Sequence, residues 1–422
     1  MIKEAGKNSD FGPSPDGRRV HWARAATAAV LVLIIACAVL TASGCSSVGS
    51  ISLFPVQSGD KWGYIDQTGR IIIKPQFSRV GLFADGLTPV WVGEDVGYVD
   101  TRGAIKIKPQ FDSAGSFSEG LAPVLVNMRV GFINESGTQV VKPTYSDAAP
   151  FDENVAPVKQ GTKWGFIDKS GKVVIPFNFD DVGSFTDGLA RAKTGDKWGY
   201  IDHSGNYVIQ PQYVASGTAS PPVLHFQQDR APVFSDGNWK YIDKTGKQAF
   251  QRTFFLAGEF SEGLAPVVVN TATDAGATTY RLGFIDTSGN MVIKPQFDGQ
   301  VTLTDALGVG FHKGVSPVRQ VQAPGLWGYI NADGKFVVQP KFGYADNFLL
   351  GPVTMAELNG FLVYIDQTGK VLYTGPEVVT VTTTPTTVTA PGSPESPTDT
   401  DVSAETSSST TTTTAPATTT GS

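Results

Sequence analysis

Large apolar residues alternate with small or polar ones along residues 163–175, and near copies of this segment recur along the chain. The alternation over Trp164-Gly165-Phe166-Ile167-Asp168 is typical of a half-buried strand. A turn written Asp-x-Ser/Thr-Gly follows, and then a β-branched run such as Val173-Val174-Ile175. Because aspartate accepts backbone N–H groups in turns and glycine adopts positive φ, this pattern predicts a tight β-hairpin.

The hairpin repeats with a fixed period. The glycine after the tryptophan recurs 34 residues apart at Gly63, Gly97, Gly131, Gly165 and Gly199. The same position is then held by Lys240, Gly283, Gly328 and Val363. A constant period of this size indicates a repeat array, and we predict nine units of about 34 residues.

Each unit contains a third segment of the type Leu-Ala-Pro-Val, as in residues 121–124. We call the three predicted strands the proline strand, the box strand (Trp-Gly) and the aliphatic strand, in chain order. Prolines recur in the first and at the end of the third, so we expect both at sheet edges and the box strand at the centre. The fold class is therefore all-β, with tandem three-stranded antiparallel meanders that form an open superhelix or arc, or a propeller-like ring. In the predicted array no unit takes strands from both ends of the chain segment, so no sheet would join the first unit to the last. This favours the open form.

Aromatic residues also follow the period. Two phenylalanines six residues apart, such as Phe111 and Phe117, lie between the aliphatic strand and the next proline strand. We interpret them as core between units, because aromatic side chains bury large apolar areas and one unit alone is too small to be stable. The tryptophans, including Trp164, are interpreted as core on the central strand, with sugar stacking as the alternative.

These motifs resemble the bacterial WG-repeat family. The resemblance rests on the Trp-Gly-Tyr/Phe-Ile-Asp box, the Asp-x-Ser/Thr-Gly turn, the Lys-Pro-x-Phe/Tyr segment and Phe-Ser-Glu-Gly-Leu-Ala-Pro-Val, recurring in that order over about residues 52–373. It implies a β-rich repeat region, often on exported proteins, and no shared catalytic residues. Lys240 and Val363 depart from the family glycine.

The N-terminal segment has the features of an export signal. Arg18, Arg19 and Arg24 precede an apolar run over residues 25–40, and residues 41–45 read Thr-Ala-Ser-Gly-Cys. This ending resembles the lipobox of bacterial lipoproteins, which implies cleavage before Cys45 and lipidation of its thiol. We predict a signal peptide over residues 1–44, with an uncleaved membrane anchor as the alternative.

The remaining regions complete a simple organisation. Residues 45–51 are a linker, residues 52–375 are the repeat domain, and residues 376–422 are a Thr/Ser/Pro-rich tail that we expect to be disordered. The net charge of −6 does not indicate nucleic-acid binding, which is usually carried by a basic surface. The chain has two cysteines and none after Cys45, so the exported part has no disulfide.

No catalytic or metal-binding set can be assembled from the sequence. The histidines lack convergent partners, and the repeated aspartates track the turn glycine, so we interpret them as turn caps. We therefore predict that the protein is not an enzyme and has no cofactor or metal. These are the aspartates at the turns: Asp66, Asp100, Asp168, Asp202, Asp243, Asp286 and Asp366.

Three consecutive units break the period. The extra residues fall within 214–222, 270–280 and 298–314, and in a three-stranded meander all three insertions lie at the same end of the sheets. We predict a candidate ligand face there, formed by His225, Arg230, Arg281, His312 and Lys313.

The predicted function is a non-enzymatic lipoprotein of the bacterial cell envelope. It would be held on the membrane by an N-terminal lipid, outside the cytoplasm, and its repeats would form a binding or scaffolding surface for a protein or envelope glycan. A passive surface spacer and an envelope enzyme with a site on the insertion face of residues 214–314 are the alternatives.

Overall fold

The computed structural model describes residues 52–215, 221–272, 278–299, 309–322 and 325–377. These residues form nine small antiparallel sheets in chain order, arranged as a β-propeller. The nine repeat units and the all-β class are thereby confirmed. The predicted signal segment 1–44, the linker 45–51 with Cys45, and residues 378–422 of the predicted tail lie outside the described residues. Within the described part, no helix has the length and apolar character needed to span a membrane.

Each sheet is built around its box strand. The box strands are β2 (Lys61–Ile65), β6 (Asp95–Asp100), β10 (Arg129–Asn134), β14 (Lys163–Asp168), β18 (Lys197–Ile201), β21 (Asn238–Ile242), β24 (Thr278–Asp286), β27 (Trp327–Asn331) and β31 (Phe361–Asp366). They pair with aliphatic strands β3 (Ile71–Phe77), β7 (Ile105–Phe111), β11 (Gln139–Tyr145), β15 (Val173–Phe179), β19 (Tyr207–Val214), β25 (Met291–Asp298), β28 (Phe336–Phe342) and β32 (Val371–Glu377).

The proline strands pair with the other side of the box strands. They are β1 (Phe54–Ser58), β5 (Leu87–Val92), β9 (Leu121–Val126), β13 (Val155–Gln160), β17 (Leu189–Thr194), β20 (Ala231–Ser235), β23 (Leu264–Ala272), β26 (Val315–Arg319) and β30 (Val353–Leu358). The central place of the box strand is thus confirmed.

The proline strand is not always an edge, contrary to our expectation. In six sheets a short inner strand covers it: β4 (Arg79–Val80), β8 (Ser113–Ala114), β12 (Asp147–Ala148), β16 (Asp181–Thr186), β22 (Leu256–Ala257) and β29 (Tyr344–Ala345). The proline carbonyl accepts a hydrogen bond there, for example from Gly115 N to Pro123 O at 2.9 Å. Proline lacks a donor but keeps its acceptor, so it tolerates a partner strand.

Neighbouring sheets are joined by buried aromatic pairs. Phe166, two residues beyond the tryptophan of its box strand, is fully buried and lies 5.0 Å from Phe185 of the next sheet. Eight such pairs link successive sheets, with ring centroids 4.8 to 5.2 Å apart. The interpretation of these phenylalanines as core between units is confirmed. Trp198 and Trp239 are buried as well, whereas Trp164 is only partly buried.

The first and last sheets close the ring, so the preference for an open array is wrong. Tyr364 of sheet 9 donates its hydroxyl to Pro55 O of sheet 1, as Tyr98 donates to Gly115 O of the next sheet at 2.8 Å. Gly69 packs against Leu372, just as Gly103 packs against Ile73 of the preceding sheet. Closure needs no split unit, because the box tyrosine and the turn glycine that join ordinary neighbours also join the ends, here through Pro55 O and the backbone of Leu372.

The box glycine allows the aliphatic strand to bulge over it. Trp164 pairs with Phe179 and Phe166 with Ile175, so extra residues of β15 are accommodated opposite Gly165. In sheet 6 the position is Lys240, and residues 243–255 make only isolated bridges along the box strand instead of a regular aliphatic strand. In sheet 9 the position is Val363, yet β32 still pairs with the box strand, with Val363 opposite Thr374.

Candidate functional site

The repeated aspartates are turn caps, as predicted. Asp168 Oδ1 accepts hydrogen bonds from Ser170 N at 2.9 Å, Ser170 Oγ at 2.6 Å and Lys172 N at 3.0 Å. These bonds, led by that of the Ser170 hydroxyl, lower the pKa of Asp168. The same backbone contacts recur at the other six turns. These carboxylates are committed to local structure, and the described residues contain no metal-binding group of three or more His, Cys, Asp or Glu.

A second set of acidic residues holds neighbouring sheets together. In six units the turn before the proline strand places an acidic or amide side chain against the backbone of the next such turn. Glu119 Oε2, for example, accepts from Asn154 N at 3.0 Å, and Glu119 itself has a positive φ of 53°. The acceptors are Asp85, Glu119, Glu153, Asp187, Gln228 and Glu262. We call these the acidic turns; they adjoin the short strands, on the sheet edge that we call the inner edge.

The carboxyl group of Asp152, in one of these turns, has a raised pKa. Burial is the largest cause, followed by the neighbouring charges of Glu153 and Glu119, and together they raise the pKa of Asp152 to about 6. Ser118 and Ser261 occupy the equivalent place in other sheets and donate their hydroxyls to the next phenylalanine carbonyl. Asp152 therefore holds a proton more readily than a surface aspartate.

The five residues of the predicted ligand face do not lie together. Arg281 lies at the insertion end, paired with Val269 and Asp298. Arg230, His312 and Lys313 lie in acidic turns at the opposite end, where Lys313 N donates to Glu262 at 2.7 Å. His225 lies on the inner edge. The sequence pattern was wrong to group them, because a residue that follows an insertion by a few positions has already crossed to the other end of its sheet.

The three insertions themselves start from one end of the sheets. Two of them follow the ends of aliphatic strands β19 and β25, and the third extends the turn between β23 and β24 by the pairs Asn270–Tyr280, Thr271–Thr279 and Ala272–Thr278. A groove of about 310 Å³ opens beside the first, between the end of β19 and the turn after β20. Residues 216–220, 273–277 and 300–308, inside the predicted insertions, lie outside the described residues.

A partly buried arginine distinguishes sheet 5 from the others. Seven proline strands place proline opposite the buried aromatic of the box strand, whereas β17 places Arg191 opposite Tyr200 and β30 places Met355 opposite Tyr364. The Arg191 guanidinium crosses to sheet 6, where Nη1 donates to Val223 O at 3.2 Å. It also lies 5.6 Å from the Trp198 ring.

His225 of sheet 6 lies beside Arg191. Both side chains pack over Gly183: a Cβ on that glycine would lie 2.8 Å from Arg191 Nε and 3.1 Å from His225 Nε2. On its other side, His225 contacts Glu259 of sheet 7, whose Oε1 lies 2.8 Å from His225 N and 3.0 Å from Nδ1. The three ionisable side chains thus bridge three consecutive sheets.

Burial and the neighbouring charges shift the pKa values of two of these side chains, Arg191 and Glu259. Burial lowers the pKa of Arg191, against the opposing influence of Glu259. Burial alone would raise the pKa of Glu259, but the charge and hydrogen bonds of His225 and the charge of Arg191 lower it below its usual value. Glu259 is therefore an anion whose Oε1 is taken by His225.

Several buried polar atoms near Arg191 have no hydrogen-bond partner among the described residues. Four buried side-chain polar atoms lack a hydrogen-bond partner among the described residues, and three of them belong to Thr186, Arg191 and Gln227 on the inner edge of sheets 5 and 6. The atoms are Thr186 Oγ1, Arg191 Nε and Gln227 Nε2, all able to donate. We call Thr186, Arg191, His225 and Gln227 the donor cluster. Since buried polar groups are normally paired, this concentration marks a candidate ligand site.

Sequence reasoning found His225 but missed the rest of the donor cluster. Arg191 carried a readable signal, since it interrupts a proline that recurs in seven other units. Thr186 and Gln227 occupy a position that varies among the units, so nothing in the sequence set them apart.

Comparison with known proteins identifies the repeats. The family model described as WG containing repeat matches residues 62–93, 97–127, 131–164, 164–198, 198–239, 241–270, 283–299 and 327–359, more than half of the chain. Eight segments are matched, each beginning in or next to a box strand; sheet 9, with Val363 in place of glycine, begins no match. No curated protein matches the chain.

Several solved structures are similar in fold. Apo AztD from Citrobacter koseri is 12% identical, with a TM-score of 0.37 over 68% of this chain and 93% of that one. A second Citrobacter koseri AztD structure is 12% identical, with a TM-score of 0.34 over 76% and 93%. KlHsv2 with loop 6CD replaced by a Gly-Ser linker is 9% identical, with a TM-score of 0.32 over 58% and 93%. Similarity at this level carries no information on ligand or activity.

Proposed function

This chain belongs to the WG containing repeat family, and we propose that it is a non-enzymatic lipoprotein of the bacterial cell envelope whose propeller binds a protein or an envelope glycan. The observation that carries the proposal is the contrast between sheets 2–4, which repeat with little variation, and sheets 5–7. Those three sheets combine the period-breaking insertions, the missing outer strand at Lys240 and the donor cluster. Departures from a repeat that coincide in space indicate a specialised surface.

The absence of catalysis is part of the proposal. The repeated turn aspartates accept backbone hydrogen bonds, and the acidic turns hold neighbouring sheets together. Carboxylates committed in this way are poor general acids or bases, because proton transfer would break the contacts that position them. A binding role uses the same architecture without that conflict.

Membrane attachment would come from Cys45. The proposal rests on the arginines at 18, 19 and 24, the apolar run 25–40 and the small residues before the cysteine. A lipid modification with more than one acyl chain anchors stably, whereas a single chain is marginal. The linker from Cys45 to Ser52 would reach at most about 25 Å when extended.

The strand register gives this anchor a consequence for orientation. Phe54 begins β1 opposite Ile65, beside the Asp-x-Thr-Gly turn, whereas Glu377 ends β32 opposite Phe361, beside the turn at the other end. The short linker therefore holds the acidic-turn end towards the membrane. The insertion end, where β32 also finishes, would face away from it.

The Cys45→Ala variant tests the anchor. We expect the variant to remain unprocessed and unlabelled by radioactive palmitate, because the thiol that receives the lipid is gone. The measurement is palmitate incorporation and apparent mass in cells. Cys37→Ala is the matched control, since it removes the chain's other cysteine, from inside the apolar run. Continued labelling of Cys45→Ala would exclude the lipoprotein role.

A further inference from the structure

We propose that the donor cluster between sheets 5 and 6 binds an oxyanion, a carboxylate or phosphate group carried by the ligand. The inference rests on the proposed binding function and deepens it, because it names the chemistry of the group recognised and the residues that receive it. The cluster lies on the inner edge of sheets 5 and 6, away from the insertion face that the sequence pattern predicted.

The first step is the contiguity of the cluster. Arg191 reaches Val223 O, and Arg191 and His225 pack over the same glycine, Gly183. Thr186 is three residues beyond Gly183 on β16. Gln227 begins the turn that is closed by its bridge to Arg230, two residues after His225. Arg191 and His225 therefore meet at the joint between sheets 5 and 6, with Thr186 and Gln227 close to them along the chain.

The second step is the balance of donors and acceptors. Arg191 Nε and Gln227 Nε2 can only donate, and the Thr186 hydroxyl can donate as well. The nearby carboxylate, Glu259, is engaged by His225 through both its backbone N and its ring. The unpaired atoms thus call for acceptor oxygens rather than for a cation or a further donor.

The third step is charge and geometry. A guanidinium offers planar, parallel N–H donors that match the oxygens of a carboxylate or phosphate, and the interaction is stronger where water is partly excluded. The side chain of His225 retains 25% exposure, so solvent reaches the joint between sheets 5 and 6 at this residue. A terminal oxyanion of a larger ligand can enter there without burial of the whole molecule.

The fourth step is the comparison with the other units. Proline at the Arg191 position packs on the equivalent glycine, as Pro89 does on Gly81. Serine at the Gln227 position satisfies its hydroxyl on the next phenylalanine carbonyl, as Ser118 and Ser261 do. The repeat thus offers fully satisfied solutions at both positions, and sheets 5 and 6 have replaced them with unsatisfied donors. Retention of unpaired donors is expected at a binding site rather than in a supporting unit.

The Arg191→Pro variant is the direct test, because the backbone of seven other sheets accepts proline at this register. The full-length protein is titrated with glucuronate, inorganic phosphate and neutral glucose, and heat and backbone amide shifts are measured. We expect saturable binding of an anion and not of glucose, weakened by about tenfold or more in Arg191→Pro. Tighter binding of glucuronate assigns the ligand group as a carboxylate and tighter binding of phosphate as a phosphate ester, and either result supports the site.

Two further variants keep the test decisive. Gln227→Ser restores the residue of sheets 3 and 7 and should also weaken anion binding. This variant provides the test if Arg191→Pro fails to fold. Arg79→Gln alters an arginine that packs 4.6 Å from the Trp91 ring in sheet 2, and should leave binding unchanged. Equal anion affinity in wild type, Arg191→Pro and Gln227→Ser, or no saturable anion binding by the wild type, would overturn the inference. If envelope glycan is still bound equally by all variants, the binding function stands and only this site is wrong.

Discussion

Gly165→Ala is expected to lower the free energy of unfolding by about 3 kcal/mol or more, because the new methyl group meets backbone rather than a movable side chain. A Cβ on Gly165 would lie 2.6 Å from Ile175 O, 3.0 Å from the carbonyl carbon of Pro176 and 3.1 Å from Phe177 Cδ1. These atoms belong to the bulge of β15 over the box strand. The bulge has no room to move outward without loss of the pairs Trp164–Phe179 and Phe166–Ile175.

Two variants isolate this cause. Gly161→Ala changes a turn glycine of the same sheet that has a φ of 61° and nothing within 4 Å of the added Cβ, so only conformational strain of about 1–2 kcal/mol is expected. Lys240→Ala alters the box position of sheet 6, where no regular aliphatic strand lies opposite, and should change stability little. Chemical denaturation measures all three. Equal losses for Gly165→Ala and Lys240→Ala would show that close strand approach is not what the glycine provides.

Phe166→Ala is expected to destabilise the protein by about 3–5 kcal/mol, the usual cost of truncating a fully buried aromatic side chain. Phe166 has no exposed surface and packs against Phe185 of the next sheet at 5.0 Å. Its loss leaves a cavity at the joint between two sheets, where stability in a repeat array depends on the contact with neighbours.

Trp164→Ala, two residues earlier on the same strand, is the matched comparison. Trp164 is only partly buried, with Lys159 Nζ 5.6 Å from its ring, so we expect a smaller loss of about 1–2 kcal/mol. The tryptophan that is most conspicuous in the sequence thus contributes less than the phenylalanine beside it. A larger loss for Trp164→Ala than for Phe166→Ala would contradict this assignment of the core.

The regular part of the fold could be predicted because three signals agreed. The alternation of apolar with small or polar residues predicted the box strands, and the recurring aspartate and glycine predicted the hairpin turns. The constant period predicted nine units. The inner strands could not be found in this way, since β8 has only two residues and alternation needs about four to be visible. Four of their six partner strands carry proline, which directed the prediction towards an exposed edge.

Ring closure could not be predicted from the sequence, for a related reason. Whether neighbouring units form an arc or a ring depends on the angle added at each joint, and a side-chain pair such as Phe166–Phe185 does not reveal that angle in the sequence. The structure closes through Tyr364 and Pro55, residues that follow the ordinary repeat pattern and therefore carry no special signal.

The candidate site was predictable only in part. The insertions that the sequence showed adjoin sheets 5–7, where the donor cluster lies, and His225 belongs both to the predicted face and to that cluster. The sequence pattern placed Arg230, His312 and Lys313 on the wrong end, because the end at which a residue lies depends on where each short inner strand and turn begins. The substitution of Arg191 for proline was visible, but its meaning required the neighbouring unpaired donors of Thr186 and Gln227.

Hydrogen exchange of the full-length protein, with and without soluble anionic glycan fragments released from the bacterial envelope, tests most directly whether sheets 5–7 carry the binding function. The account predicts added protection in residues 183–191 and 223–230, where the donor cluster lies, with the amides of sheets 2–4 unchanged. Protection confined to sheets 2–4, or exchange that is unaltered throughout the propeller, would contradict it.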